Sequence, residues 1–552
     1  TVRLRARKRR WEKAMAVMVA DLEQARALAH LDAQEERALT SAIAPLLLVR
    51  RREEDGLAPS VAPGHPRIGL MLAYSPLHRL LLDAMGSPVV ATSGNLTDEP
   101  ICVDNDEARR RLASIADAFL LHDRPIERPV DDSVALLRDG ALCVLRRARG
   151  LAPMPLHLPE AQPSVLALGA HLKNSLCLTQ GNLGFVSQHI GDLDSVEARL
   201  YERRVVEDFL ELFAATPERI AHDLHADYAS TQLAHALIDA QGSAPAPPRL
   251  ASARLVPVQH HHAHLVSCLA DNGTLSPALG VIWDGAGDGG DGTVWGGEFL
   301  YGHHRGALRV GHLLPFRLLG GDAAARDPRR AAASLWLSAG LPWQDFPLLA
   351  QLTSGEVRQW PQLHERGVRS PVTTSAGRLF DGLSALLGLC ISTSYEGQAA
   401  MALEHAADSE GELELRLSLC RGTPFDARDA SAVPEPHADG HLESLPRPWQ
   451  LDWRPLLPAL HEAHRSGLSR GQLARALHRA LASGIAELCG SLGARRIALS
   501  GGCFVNELLL GFTRDGLQAA GMTVLTHRQL PAGDGGLCLG QALIAARAGE
   551  TQ

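Results

Sequence analysis

The sharpest chemical signal is Gln259-His260-His261-His262-Ala263-His264. On a helix, His260 and His264 stand one turn apart on one face, the spacing by which two imidazoles share one metal ion. His261 and His262 then point elsewhere. No Glu follows His260, so the H-E-x-x-H pattern of zinc proteases is absent, which argues against metal-assisted peptide hydrolysis. The competing reading is a polar helix start with solvated histidines.

Glycine-rich turns supply the second signal. Asp284-Gly285-Ala286-Gly287-Asp288-Gly289-Gly290-Asp291-Gly292 follows an apolar strand, and such a turn lets backbone N–H groups approach phosphate oxygens. Ser500-Gly501-Gly502 does the same at the mouth of a helix, whose dipole favours anions. Asp534-Gly535-Gly536 precedes a helical run, and its carboxylate suits either a third metal ligand or a helix N-cap. Nearer the start, Lys8-Arg9-Arg10-Trp11-Glu12-Lys13, Thr92-Ser93-Gly94-Asn95, Asp131-Asp132-Ser133 and Arg146-Arg147-Ala148-Arg149-Gly150 together suit an anion-handling cleft. Taken singly, each is an ordinary turn or a solvated basic face.

These residues need scaffolds. Up to about Pro159 the text reads as an α/β module: a helical run Lys13 to Leu39, and strands at Leu46 to Arg50, Pro88 to Thr92 and Ala141 to Arg146. Leu151 to Pro163, with its prolines, reads as an interdomain linker. Strands follow from Val165 to a turn at Gly169, at Ser175 to Thr179 and from Gly184, then a helix Val196 to Ala215. Ala278 to Trp283 ends in a turn at Asp284 to Gly287, and Arg496 to Leu499 runs into Ser500 and a helix. Pro424 to Pro448 reads as an exposed excursion.

At 552 residues, two or three domains are expected, each burying its own core. The nine cysteines form no C-x-x-C pair, which argues for reduced, mostly buried thiols and against a zinc finger. A net charge of −8 gives no global reason to bind nucleic acid. No apolar run reaches the ~18 to 20 residues of a membrane span, so a soluble, cytoplasmic protein is expected. The text opens at Thr1 in an Arg-rich helix, and the natural chain is expected to begin upstream.

Three motifs resemble the YrdC-like domain of the HypF family of hydrogenase maturation carbamoyltransferases: Ala91 to Pro100, His122 to Ile126 with Asp131 to Val134, and Leu145 to Gly150. Leu168 to Asn174, Gln188 to Leu193, Gln259 to His264, Asp284 to Gly287 with Asp291 to Glu298, Ser394 to Ala400, Ser500 to Asn506 and Asp534 to Gly536 resemble its second, TsaD-like domain. The resemblance runs from end to end, in the family's order. It implies a YrdC-like α/β domain over 1–158, incomplete at its start, and a two-lobed actin-like ATPase (ASKHA) domain over 163–552, with lobes of about 163–310 and 311–552.

It also implies a chemistry. Carbamoyl phosphate and ATP give carbamoyl-adenylate with release of pyrophosphate, and the carbamoyl group passes to the C-terminal cysteine of the partner HypE, on the way to the cyanide ligand of [NiFe]-hydrogenase. By the same resemblance, His260, His264 and Asp534 hold a divalent metal, iron or zinc, with magnesium accompanying the nucleotide. Lys173 joins them as a catalytic residue. Gly169, Asp284, Gly285, Gly287, Glu396, Gly397, Ser500, Gly501, Gly502 and Asn506 contact nucleotide, and Lys8, Arg10, Lys13, Ser93, Asn95 and Arg149 line the adenylation site. An antibiotic-tailoring O-carbamoyltransferase shares both domain types, but there the actin-like part usually comes first. A role in the threonylcarbamoyl-adenosine pathway of tRNA modification would use the same two folds, usually as separate polypeptides, and gains little support from the acidic net charge; a non-catalytic assembly scaffold is a further alternative.

Overall fold

The computed structural model describes residues 1–96, 99–239, 248–407, 411, 413–421 and 443–548. They form two compact units, Thr1–Val256 with His527–Ala542 and Pro257–Thr526 with Leu543–Gln552.

In the first unit, a seven-stranded mixed sheet runs in the order Val89–Ala91, Ala16–Val19, Arg67–Leu72, Leu46–Arg51, Val134–Arg138, Ala141–Arg146, and Ala29–His30 pairs with Leu46–Arg51. The period-two pattern of a half-buried strand is plain in Leu46–Arg51, where Leu47 and Val49 are buried and Arg50 is exposed. They join Val17, Val19, Ile68 and Leu70 in one core. The single helix expected over Lys13 to Leu39 is instead the strand Ala16–Val19 followed by helices Leu22–Leu28 and Ala33–Leu39. Two aspartates divide it. Asp21 accepts from the Gln24 N–H, and Asp32 forms a capping box with Glu35, so each starts a new helix.

A second sheet orders Arg254–Val258, Arg219–Asp223, Pro155–Ala167 and Cys177–Val186. The expected linker is therefore corrected: most of Leu151 to Pro163 belongs to a thirteen-residue strand. Leu156 and Leu158 alternate inward, and the pairing with Cys177–Val186 is irregular around Gln162, which accommodates prolines that cannot donate to the ladder. The turn at Gly169 is as expected, with φ +73°. The helix Val196–Leu212 covers this sheet through Val205, Val206 and Phe209, which pack with Leu166, Leu178 and Ile220.

The second unit holds a nine-stranded sheet with the central order Ser418–Arg421, Glu443–Asp452, Gly306–Leu313, Val294–His303, Ala278–Asp288, Arg496–Ser500, Thr523–Thr526. Ala278–Asp288, Val294–His303 and Gly306–Leu313 are antiparallel, whereas Arg496–Ser500 and Thr523–Thr526 add in parallel. Trp283, Phe299, Phe380, Trp453 and Leu499 lie in its core. The turn expected at Asp284 to Gly287 falls further on. The strand continues to Asp288 with a register irregularity between Trp283 and Gly287, and the hairpin closes where the Gly289 N–H donates to Thr293 O at 3.1 Å. Of the expected excursion Pro424 to Pro448, residues up to 442 lie outside the described residues, and Glu443 onward is a strand. Seven of the nine cysteines are buried and all are free. No helix of the described residues is long and apolar enough to cross a membrane.

Candidate active site

In the second unit, Gln259 starts the histidine helix: its side chain accepts from the His262 N–H at 2.8 Å, and His260–Asp271 continues as a helix buried along its whole length. His260 and His264 turn their Nε2 atoms toward one carboxylate oxygen, Asp284 Oδ2, at 3.4 and 3.1 Å. The other oxygen, Oδ1, accepts from the Gly502 N–H at 3.0 Å. Burial pushes the Asp284 carboxyl up, but the hydrogen bonds and charges of the two imidazoles outweigh it and hold it well below the usual carboxylate range. One ligand atom from each of the three side chains lies within 4.8 Å of the others. Two imidazoles and a carboxylate in so small a space are a donor set that zinc or iron accepts.

The remaining two histidines face elsewhere. His262 Nε2 meets the His303 carbonyl at 2.7 Å, and burial pushes this imidazole down to about 4. His261 Nδ1 lies 3.2 Å from Gln259 Nε2, and burial followed by the His260 charge pushes it down to about 3. Both are neutral near pH 7. The strand backbone at Gly287 runs against His261 and His260: a Cβ there would stand 2.7 Å from His261 Cε1 and 3.1 Å from His260 Cβ.

The other glycine motif meets the same aspartate. Gly501 has φ +96° and lies so close to Trp283 that a Cβ would stand 2.2 Å from its carbonyl oxygen, so only glycine fits between Ser500 and Gly502. Gly285 O accepts from Ser375 Oγ. Asn506 is occupied structurally, capping Glu507–Ala519 through Leu509 N and meeting His478 Nε2 at 2.9 Å. Gly397 caps Gln398–Ala406 at φ +75°. Glu396 contributes charge to Asp381, whose carboxyl is pushed up to about 6 by burial while Arg378 opposes the shift.

Gly169, Lys173 and Asp534 lie in the first unit. Gln541 clasps Gly169, accepting its N–H at 2.9 Å and donating to its carbonyl at 3.2 Å. Lys173 adopts φ +47°, an unusual region for a side-chain-bearing residue, with its N–H held by Asp192 Oδ1 at 2.8 Å. Asp534 opens the turn Asp534–Gly536, which is capped by Gly533 and tied down where Ser175 Oγ donates to Gly535 O at 2.9 Å.

In the first sheet's domain, Lys8 Nζ donates to Ser93 O at 2.7 Å and approaches Thr92 Oγ1 and Asn95 Oδ1 at 3.3 Å, so Lys8, Ser93 and Asn95 form one cluster. Burial and then the Arg10 charge push the Lys8 amine down to about 8. Arg10 bonds Ala14 O, and burial followed by Arg146 and Arg5 lowers its affinity for a proton. Lys13 contributes charge to Asp131 and His189. Arg149 is bonded to Asp132 Oδ1 at 2.9 Å and stacked 3.5 Å over the Tyr74 ring.

Sequence reasoning missed Asp284 as the partner of the histidines, having placed it with the nucleotide. It also gave no role to Glu298, the last residue of a motif it had singled out. Tyr74 carried no signal beyond its type.

Residues 1–148 match the Sua5/YciO/YrdC family model, described as "Telomere recombination". Residues 160–271 match the HypF Kae1-like domain, and residues 280–541 match the second subdomain of the carbamoyltransferase Kae1-like domain. The class is thus a YrdC-like domain joined to Kae1-like domains of the ASKHA type. Carbamoyltransferase HypF of Synechocystis sp. is 38% identical over 98% of this chain and 68% of its own length. Carbamoyltransferase HypF of Rhizobium leguminosarum bv. viciae is 39% identical over 98% and 67%. A crystal structure of full-length HypF in the phosphate- and nucleotide-bound form superposes with a TM-score of 0.88 at 33% identity, covering 100% of this chain and 68% of that one. The chain belongs to the HypF carbamoyltransferase family.

Proposed function

We propose that this protein hydrolyses carbamoyl phosphate with one water to carbamate and phosphate, joins the carbamate to ATP as carbamoyl-adenylate with release of pyrophosphate, and passes the carbamoyl group to the C-terminal cysteine of HypE in the cytoplasm. The thiol sulfur attacks the carbamoyl carbon, AMP departs, and the resulting thiocarbamate serves cyanide-ligand synthesis in [NiFe]-hydrogenase maturation. The observation that supports this most is the convergence of His260 and His264 on Asp284 in a chain that matches the family over 98% of its length.

In this reading, Lys8, Arg10, Lys13, Ser93, Asn95 and Arg149 bind the first reaction's anions. The cationic side chains offset the charge that grows on phosphate oxygens as the acyl phosphate bond breaks. His260, His264 and Asp534 hold a divalent metal, and the geometry of Asp284 adds it to that set. When bound, such an ion supplies Lewis acidity toward phosphate oxygens. Gly285, Gly287, Ser500, Gly501, Gly502, Glu396, Gly397, Asn506 and Gly169 frame the nucleotide, Gly502 also orienting Asp284, while Asp192 fixes the backbone from which Lys173 acts. Because water destroys a mixed anhydride, both reactions need an enclosed site.

The test incubates the chain with labelled ATP, carbamoyl phosphate and a peptide ending in cysteine, and follows AMP, pyrophosphate and labelled peptide. All three should appear together and depend on carbamoyl phosphate. Nucleotide bound without turnover would move the assignment to the assembly scaffold.

A further inference from the structure

Beside the strand that carries Asp284 lies a buried ion pair that the proposed chemistry does not use. Glu298 has no exposed surface, and its Oε2 accepts from Arg309 Nε at 2.7 Å. Its Oε1 accepts from three donors: the N–H groups of Gly296 at 3.2 Å and Gly297 at 3.3 Å, and the Thr374 hydroxyl. Arg309 is fixed in turn, with its guanidinium 4.0 Å over the Trp295 ring and Nη1 3.4 Å from Asp291 Oδ2.

The segments gathered by Glu298 are those between which Asp284 runs. Gly297 pairs with Trp283, and Trp295 with Gly287, so Gly296 lies opposite the irregular stretch that contains Asp284. The approach is close enough that a Cβ on Gly296 would stand 2.8 Å from Asp284 O and 2.9 Å from Ser375 Cα. On the far side Ser375, next to Thr374, donates its hydroxyl to Gly285 O. One carboxylate therefore ties together the strand before and the turn after the channel that holds the Asp284–Gly285 backbone. Asp291 closes the hairpin end, accepting from Thr293 N at 2.9 Å and Trp295 Nε1 at 3.1 Å. Gln259 links that hairpin to the histidine helix by donating to Asp288 O at 3.0 Å.

A hydrophobic pair would fill this space with less desolvation cost, since buried ion pairs are weak sources of stability. What the charged pair supplies is direction, because a carboxylate with four donors has one arrangement. We propose that Glu298, oriented by Arg309, is a positioning residue that sets the place of the Asp284 carboxylate relative to His260 and His264. The inference rests on the reading of those three side chains as a metal site.

The test measures Zn²⁺ affinity by calorimetry for the full chain and for His260→Ala, Thr374→Val and the charge-neutral double variant Glu298→Gln/Arg309→Met, each with its melting curve. Thr374→Val removes one hydroxyl with little change of shape, so it keeps the proposal testable if the double variant fails to fold. His260→Ala should abolish site binding. Thr374→Val and the double variant should weaken it by about 10- to 100-fold, the range for residues that orient metal ligands, while still melting cooperatively. Affinity within twofold of the parent in Thr374→Val and in any folded double variant, with binding still lost in His260→Ala, would overturn the positioning role alone. Equal binding by the parent and His260→Ala would overturn the site reading and this inference with it.

Discussion

Glu202 offers a quantitative test of how the first unit is built. It lies on the buried face of Val196–Leu212, 1% exposed, with no partner described for Oε1. Burial pushes its carboxyl up to about 8, against a weaker opposing effect of Arg199. The folded state thus favours the protonated acid, whereas the unfolded chain ionises near the ordinary glutamate value. Stability is full below the unfolded pKa and falls as pH rises toward the folded one. At about 1.4 kcal/mol per pH unit, this group removes up to about 4 kcal/mol between roughly pH 5 and 8. Glu202→Gln keeps the neutral shape and should abolish that dependence. Because a chain of two units need not unfold in one step, the assay is hydrogen exchange of the amides in Val196–Leu212. The opening free energies of parent and variant should agree near pH 5 and diverge in favour of the variant by pH 8. Parallel pH profiles would refute the reasoning.

Three further outcomes are expected. Gly501→Ala places a Cβ 2.2 Å from the Trp283 carbonyl at φ +96°, so it should shift the Gly502 N–H away from Asp284 and weaken metal binding measured by calorimetry, even where the protein still folds. Lys8, after reductive ¹³C-methylation, should titrate near 8 by NMR, and the resonance should vanish in Lys8→Met; a value near that of free lysine would contradict its burial beside Arg10. Tyr74→Leu removes the ring under Arg149 and should lower the opening free energy of the amides in Arg67–Leu72 by about 1 kcal/mol in hydrogen exchange, within the range of partly exposed cation–π contacts.

Much of this fold is legible in the sequence where period and punctuation agree. Leu46–Arg51, Ala141–Arg146 and Val196–Leu212 show apolar spacing that matches their environment. The helix at His260 is legible from its histidine spacing, although nothing in the text says that all twelve residues are buried. Where reading failed, a tertiary effect won over local pattern. Lys13 to Leu39 has helix-forming composition, but pairing of Ala16–Val19 with Arg67–Leu72 takes its start into a sheet. The prolines of Leu151 to Pro163 suggest a linker, yet strand pairing across an irregular register absorbs them. At the candidate site, motif order located the loops but not their partners. That Asp284 faces two histidines some twenty residues earlier depends on the adjacency of Ala278–Asp288 to the His260–Asp271 helix, which no spacing rule contains. Glu298 is equally hidden, because its donors come from its own strand, from Arg309 and from Thr374.

The most direct test of the proposed function supplies preformed carbamoyl-adenylate and a peptide ending in cysteine, without ATP, to the parent chain and to the His260→Ala/His264→Ala variant. Transfer of the carbamoyl group to the peptide thiol with release of AMP, lost in the variant, is the result this account predicts. Equal transfer by both proteins, or none by the parent while it still binds nucleotide, would contradict it.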